Sequence, residues 1–180
     1  MVGALVLTVA GCSGSGSDQP KVLPPVPSAT VAVTPTPTTT AAPVVVPSAA
    51  VPATPQGAAA FVRFFYGELN GAFQDGNAQR IRVLSDPGCA TCNNYAKATD
   101  ASAKTQHYIV GDSFASLQVE AAPAAHGVTL VIVLGVVPAR RVSDNGVVTT
   151  LPSDGSFANT VAVQRRGNQW LIRAIRFDKT

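Results

Sequence analysis

The chain has 180 residues, a formal net charge of +3, and only 13% charged residues. Every aromatic residue and nearly all of the charge lie after residue 54, so the part that can fold is mildly basic. Because this part has no dense tract of Lys or Arg, composition argues against a nucleic-acid-binding protein. Its length fits one domain and is too short for two.

The N-terminus carries a short apolar run, residues 2–11, directly before Cys12. The run is shorter than the roughly 20 apolar residues that span a bilayer, and it is typical of the apolar core of a secretory signal. Val9-Ala10-Gly11-Cys12 looks like a bacterial lipobox, in which the cysteine is lipidated and becomes the mature N-terminus. We therefore predict a signal segment over 1–11 and a lipid anchor on Cys12 at the outer face of the cell membrane. Since no Lys or Arg precedes the run, we expect the true translation start to lie upstream.

The next segment, through residue 53, is built from Ser, Gly, Thr, Pro, Ala and Val, with only Asp18 and Lys21 ionised. Such a composition cannot bury enough apolar surface to offset its ordering entropy, and its prolines favour extended conformations. Residues 12–53 are therefore interpreted as the lipidated cysteine and a disordered spacer, and residues 54–180 as a single domain.

Helix signals come first in this domain. Thr54 is a good N-cap, and Pro55 fits the first helical position. Apolar and aromatic side chains follow at helical spacing, and Asp75-Gly76-Asn77 predicts the end of the helix. Two further helices are predicted over 78–84 and 93–105. The apolar stripe of the first helix is Phe61, Phe65, Leu69 and Phe73; Gly67 and Gly71 mark places where another element could approach its backbone.

Cys89 and Cys92 form an even pair once Cys12 is assigned to lipid. In an oxidising extracytoplasmic space a disulfide is the first expectation. A redox-active C-x-x-C motif is the more specific alternative, but no thioredoxin-like βαβ pattern surrounds the two cysteines. A zinc site needs four ligands, and the two histidines lack motif spacing.

The second half of the domain has the two-residue periodicity of strands. Strands are predicted over 107–121, with a break at Gly111-Asp112, and over 128–137, 157–166 and 169–177. Gly167-Asn168 predicts a tight hairpin turn, and Asp144-Asn145-Gly146 a turn within a long connection. The strand over 128–137 is apolar at almost every position, which predicts burial on both faces.

This order predicts an α+β domain with the N-terminal helices packed on one face of a curved, antiparallel, four-stranded meander sheet. Helices on one face leave the other uncovered unless the sheet curls. We therefore expect a second copy of the chain, or another envelope protein, to bind the open face of the sheet.

Three segments carry a family resemblance: residues 54–62, the segment Ser85-Asp86-Pro87-Gly88-Cys89-Ala90-Thr91-Cys92, and Trp170-Leu171-Ile172. With the lipobox and the Pro/Thr-rich spacer, they resemble an actinobacterial lipoprotein family whose conserved domain has no assigned function. The order of elements resembles the nuclear-transport-factor-2-like (NTF2-like) cone fold, which is also that of ketosteroid isomerase. The resemblance implies a fold and a location but no activity.

Catalytic motifs, phosphate loops and metal-binding motifs are not found in the sequence. The carboxylates of the domain's helices and first strand (Glu68, Asp100, Asp112 and Glu120) are interpreted as solvated charges, and adjacent strand residues such as His107 and Tyr108 point to opposite faces. We therefore expect no cofactor and a non-catalytic binding or interaction domain. The alternatives are a carrier of a small apolar ligand in a cone-shaped cavity and a cavity enzyme of the isomerase or dehydratase type. If Phe61, Phe65 and Trp170 fill the space between the first helix and the sheet, both alternatives lose their support.

Arg173 is the one candidate ligand contact. Strict alternation on the last strand places it on one face with Leu171, Ile175 and Phe177, where it would interrupt an apolar row. From such a position it would reach into a cavity and bind an anionic ligand. The plainer interpretation is an arginine whose stem lies along apolar surface while its charge stays in water.

Overall fold

The structure is a computed structural model, and it describes residues 43–178. It contains three α-helices and a single 3-10 turn at Ser48–Ala50. The α-helices are α1 (Pro55–Asp75), α2 (Gln79–Val83) and α3 (Ala90–Thr105). The strands are β1 (His107–Val110), β2 (Ala115–Ala121), β3 (Val128–Val137), β4 (Arg140–Asp144), β5 (Val147–Leu151), β6 (Gly155–Arg166) and β7 (Gln169–Asp178).

The strands form two antiparallel sheets. The larger has the order β2-β3-β6-β7, which confirms the predicted four-stranded sheet and the α+β class. The smaller has the order β1-β4-β5 and was not predicted. The strand predicted over 107–121 divides between the two sheets, and Asn145-Gly146 forms the tip of the β4–β5 hairpin with positive φ at both residues.

Helix α1 follows its sequence signals closely. The Thr54 Oγ1 accepts a hydrogen bond from the Gly57 N–H at 3.1 Å, and Pro55 takes the first helical position. The helix ends at Gly76, whose φ of 73° is the left-handed conformation that glycine adopts without steric cost. Within its apolar stripe Phe61, Phe65 and Leu69 are fully buried, whereas Phe73 is partly buried.

The predicted disulfide is present: Cys89 and Cys92 are bonded to each other. The Cys89 Sγ also accepts the Cys92 N–H at 3.2 Å and so serves as the N-cap of α3. Because this cap starts the helix at Ala90, α3 begins three residues before its predicted start at Asn93.

The prediction that β3 is buried on both faces is wrong. Burial alternates along the strand: Thr129, Val131 and Val133 are at most 2% exposed, whereas Leu130 and Ile132 are 50% and 53% exposed. The reason is that α1 lies against one face of the sheet, while no described residue covers the other. We call this uncovered side of the β2-β3-β6-β7 sheet the outer face.

The space between α1 and the large sheet is filled. Phe61 and Phe65 are 0% exposed and Trp170 is 5% exposed, and all three belong to one continuous hydrophobic core. At its centre the Asn159 Nδ2 donates to the Tyr66 Oη at 2.8 Å. A ligand therefore has no room in this part of the cone.

The folded region also begins before Thr54, the predicted boundary. We call residues 43–53 the N-terminal segment. Within it Ala50 is 1% exposed, the Pro52 carbonyl accepts from the Trp170 indole N–H at 3.1 Å, and the Val51 carbonyl accepts from the Arg165 guanidinium. Despite its linker-like composition, the segment packs on the domain because two side chains of the β6–β7 hairpin bind its carbonyls. Residues 1–42, which include Cys12, the predicted signal segment and most of the predicted spacer, lie outside the described residues.

Candidate ligand-binding pocket

An open pocket of about 310 Å³ lies beside the filled core, between α3, β1 and the loops at one end of the large sheet. Helix α3 provides one wall with Tyr95, Thr99 and Ser102, whose spacing places them on one face of the helix. Ala98 of α3 also lines the pocket, and the other lining residues come from six places: Phe73 of α1, Ile109 of β1, Ser113 and Phe114 of the β1–β2 loop, Val137 at the end of β3, Arg140 at the start of β4, and Asp154 just before β6.

The apolar wall of the pocket is aromatic. Ring centroids of Phe73 and Tyr95 lie 5.8 Å apart, and the Phe114 centroid lies 6.4 Å and 6.5 Å from these two rings. Behind Phe114, Tyr66 and Phe157 complete the cluster at 5.1 Å and 5.4 Å. These distances fall in the favourable range for aromatic pairs, about 4.5–7 Å. The wall therefore presents ring faces and edges to any molecule that enters.

Asn70 of α1 determines where the β1–β2 loop lies. Its Oδ1 accepts from the backbone N–H groups of Ser113 and Phe114, both at 3.0 Å, and its Nδ2 donates to the Phe114 carbonyl at 2.9 Å. Asn70 is 8% exposed, so these bonds are largely shielded from water. One buried side chain thus fixes both Ser113 and Phe114 at the pocket.

The opposite side of the pocket is polar. Arg140 makes a salt bridge with Asp154, whose side chain is 60% exposed, while the Arg140 side chain is 23% exposed. The Arg140 Nε is buried without a hydrogen-bond partner among residues 43–178. Ser113 is 2% exposed, and its Oγ likewise has no partner there. A buried polar group left without a partner costs about 1–3 kcal/mol, so an acceptor that reached either group would offset this cost.

The side chains at this pocket are poorly suited to acid–base catalysis. Burial raises the pKa of Tyr95 to about 12, so its hydroxyl stays protonated at neutral pH and acts as a donor rather than a base. The only carboxylate among the lining residues belongs to Asp154, which is exposed and already paired with Arg140. A base for proton abstraction needs a carboxylate held in an apolar site.

The carboxylates considered from the sequence all lie away from the pocket lining. Glu68 binds Arg80 at 2.7 Å, and Asp100 binds Arg82. Asp112 accepts from the Gln74 amide at 3.4 Å, and Glu120 is exposed on the outer face. His107 is half exposed beside Asp144 on the smaller sheet.

Arg173 does not share a face with Ile175. A β-bulge shifts the pairing of β7 with β6 between Ala162 and Val163, and Arg173 is the extra residue on β7. It is exposed and donates to the Gln164 side chain, whereas Ile175 is buried. The structure thus places Arg173 on the surface, away from the pocket, and its role as a ligand contact stays a prediction.

Sequence reasoning missed Ser113, Phe114, Arg140 and Asp154 as pocket residues. The helical spacing of Tyr95, Thr99 and Ser102 was a usable signal for one wall. For the others no local signal exists, because the two sheets and the Asn70 bonds bring them together from distant parts of the chain.

The sequence matches the model of a family of unknown function, DUF6318, over residues 36–176. The chain belongs to this family. No curated protein is significantly similar to it.

Solved structures agree on the fold. The intermembrane space region of the chloroplast protein ARC6 has a TM-score of 0.52 at 13% identity, covering 70% of this chain and 97% of that one. An NTF2-like protein of unknown function from Pseudomonas putida KT2440 has a TM-score of 0.45 at 16% identity, covering 71% and 89%. At such identities the likeness concerns the fold alone.

Two features are absent from residues 43–178. No helix there is both long and apolar enough to cross a membrane. No group of three or more His, Cys, Asp or Glu side chains within this range is arranged to hold a metal ion.

Proposed function

We propose that this protein is anchored by lipid on Cys12 to the outer face of the cell membrane, and that its domain binds a small aromatic ligand that carries an oxygen acceptor. One observation carries the binding proposal. Two residues that line an open aromatic pocket, Ser113 and Arg140, each have a buried polar atom, the Oγ and the Nε, without a partner among the described residues. The short apolar run before the lipobox-like Cys12 supports the anchor.

The pocket favours a ligand of one or two rings. Its volume of about 310 Å³ is at the lower end of the range of roughly 300–1,000 Å³ for small-molecule sites. Phe73, Tyr95 and Phe114 would contact the rings, and a carbonyl or carboxylate oxygen would accept from Arg140. A neutral carbonyl fits better than a carboxylate, because Asp154 already balances the charge of Arg140.

We propose binding without catalysis. The support is chemical: the hydroxyl groups at the pocket are donors at neutral pH, and its one carboxylate is exposed and paired. Such a set can orient a bound oxygen but offers no buried base for proton transfer.

The test is a titration of the chain of residues 1–180 carrying Cys12→Ser, so that neither lipid nor detergent competes for the ligand. The probes are 2-acetylnaphthalene, which has a carbonyl acceptor, and 2-ethylnaphthalene, which has none. We expect the acetyl compound to bind about 5–10 times more tightly, since one hydrogen bond contributes about 1 kcal/mol. Chemical-shift changes should centre on the β1–β2 loop and α3.

Ala98 lies exposed at the rim of the pocket, so Ala98→Trp should block entry with little effect on folding. Ala101→Trp is the matched control, because Ala101 is exposed on the same helix and does not line the pocket. Loss of binding in Ala98→Trp alone supports the proposal. Equal affinity of both probes, or unchanged binding in Ala98→Trp, contradicts it.

A further inference from the structure

The β6–β7 hairpin carries three arginines close to its turn. Arg165 and Arg166 directly precede the turn, and the Arg173 guanidinium donates to the Gln164 side chain, so it lies beside the same end of β6. Arg166 is balanced by a salt bridge of 2.7 Å with Asp86. Neither Arg165 nor Arg173 has a salt-bridge partner within residues 43–178. This surface, which we call the basic end, therefore has two uncompensated positive charges.

The opposite end of the large sheet has no such excess. Strand β3 starts level with Gln164 at Val128 and, over its 10 residues, runs about 30 Å to Val137. On the elements that follow, Arg140 and Arg141 are balanced by Asp144 and Asp154. The ligand pocket, which Val137 lines, also lies at this far end. The domain is thus polarised, with its positive charge at one end and its pocket at the other.

The N-terminal segment joins the domain at the basic end. Two of its carbonyls are held by Arg165 and Trp170, on either side of the hairpin turn. Pro43, the first described residue, lines one cavity with Gln169, which starts β7. The part of the chain that leads back to Cys12 therefore meets the domain beside the turn.

We propose that the basic end binds the anionic phospholipid headgroups of the membrane to which Cys12 is attached. The remaining guanidinium N–H groups of Arg165 and Arg173 would donate to headgroup phosphates, which arginine binds well. The proposal rests on the membrane location proposed above, and it concerns a surface separate from the pocket lining. In this orientation the pocket lies at the end of the domain that points away from the membrane.

Two charges give a weak contact by themselves. Each basic residue near an anionic surface strengthens binding about fivefold, so two uncompensated charges give about 30-fold. The predicted spacer keeps the basic end close to the membrane, and the resulting effective concentration makes a weak contact sufficient. Because the charges are exposed, salt should weaken the contact.

The test is the binding of the chain of residues 1–180 carrying Cys12→Ser to vesicles, at about 0.1 M salt. One set is phosphatidylcholine alone, and the other is equal parts phosphatidylcholine and phosphatidylglycerol. Residues 2–11 have no charged side chain, so their contribution is the same on both. We expect about 30-fold tighter binding to the anionic vesicles, lost at about 1 M salt. Absence of this preference overturns the proposal, whether or not Cys12 is lipidated in the cell.

Charge reversal locates the contact. Arg173→Glu should abolish the preference for anionic vesicles, because it reverses one of the two uncompensated charges. Arg141→Glu is the matched control: Arg141 is exposed on β4 at the far end, and its reversal changes the net charge equally. It should keep the preference, since it lies well beyond the screening length of about 10 Å. Equal losses in both variants would show attraction by net charge alone and overturn the proposal.

The orientation has its own measurement. In bicelles of the same anionic mixture, a paramagnetic headgroup lipid should broaden the amide signals of Gly167 and Asn168 at the turn. Those of Ser113 and Phe114 at the pocket should not change, and the reverse pattern overturns the proposal. Displacement from the vesicles by soluble poly(glycerol phosphate), at a phosphate concentration below that of the lipid, would make a wall polymer the partner and also overturn it.

Discussion

Gly57 and Gly67 lie on the same helix but in opposite surroundings. A Cβ at Gly57 would lie 2.1 Å from the Pro52 carbonyl oxygen, a distance that real Cβ atoms do not show. A Cβ at Gly67, in the exposed middle of α1, would have no atom outside its own helix within 4 Å. The close approach of backbones predicted at Gly67 and Gly71 occurs instead at Gly57, because the N-terminal segment crosses the start of the helix.

The two glycines should therefore respond oppositely to the same change. Gly67→Ala should raise the free energy of unfolding by about 0.5–1 kcal/mol, since alanine is the better helix former. Gly57→Ala should lower it by about 1–3 kcal/mol, as overpacking does, and displace Pro52 from Trp170. Urea unfolding and the emission wavelength of Trp170, the only tryptophan of the chain, measure both effects. Stabilisation by Gly57→Ala would show that the N-terminal segment is not held as described.

Short sequence signals predicted well the residues that act on their immediate neighbours in the chain. Thr54 and Pro55 start α1 as expected because capping depends on neighbouring backbone groups alone. The same reasoning could not predict the role of Ser113 or Arg140. Whether their polar atoms have hydrogen-bond partners depends on residues that are distant in sequence and come close only in the folded chain.

At the level of elements, the contact between α1 and the β1–β2 loop depends on Asn70. Asn70→Ala should lower the free energy of unfolding by about 3 kcal/mol, because it leaves three backbone groups of the loop without their partner. It should also weaken binding of 2-acetylnaphthalene, since Phe114 is no longer held at the pocket. Asn94→Ala, at an exposed position of α3, is the control and should change stability by less than about 0.5 kcal/mol. Equal effects of the two substitutions would contradict this role of Asn70.

Strand periodicity predicted where strands lie better than which way their side chains point. The bulge at Arg173 reverses the alternation along β7, and a one-residue shift of this kind has no signature in a regular apolar pattern. On β3 the side chains are apolar on both faces, so the pattern predicted that both faces are buried. The described residues cover only one of them. The smaller sheet was missed because β5 is exposed at every position and so shows no alternation.

For the whole molecule, the helix-then-sheet order was predictable, since α1 and the strands of the large sheet each have their own periodicity. The arrangement of the pocket was not, because it depends on how the two sheets meet. The position of the protein in the cell depends on Cys12 and can be tested without knowledge of any ligand.

Cys12→Ala should release the protein into the medium or leave it unprocessed, because it removes the proposed attachment site of the acyl chains. Fractionation and partition into a detergent phase measure this. A Cys89→Ala, Cys92→Ala double variant is the control: it too loses cysteine side chains, here those of the disulfide, yet it should stay with the membrane. Detergent-dependent membrane association of a Cys12→Ala protein that is processed like the parent would contradict the lipid anchor.

The N-terminal segment decides how the domain responds to a pull on the chain ahead of Pro43. The carbonyls of Val51 and Pro52 are held by Arg165 and Trp170, and the Arg165 guanidinium lies 5.3 Å from the Trp170 ring centroid. Tension on the chain therefore reaches the β6–β7 hairpin before it reaches α1. Because Arg165 and Trp170 pair with each other next to the turn, a pull acts on both strands of the hairpin, so it should load the sheet before it unwinds the first helix.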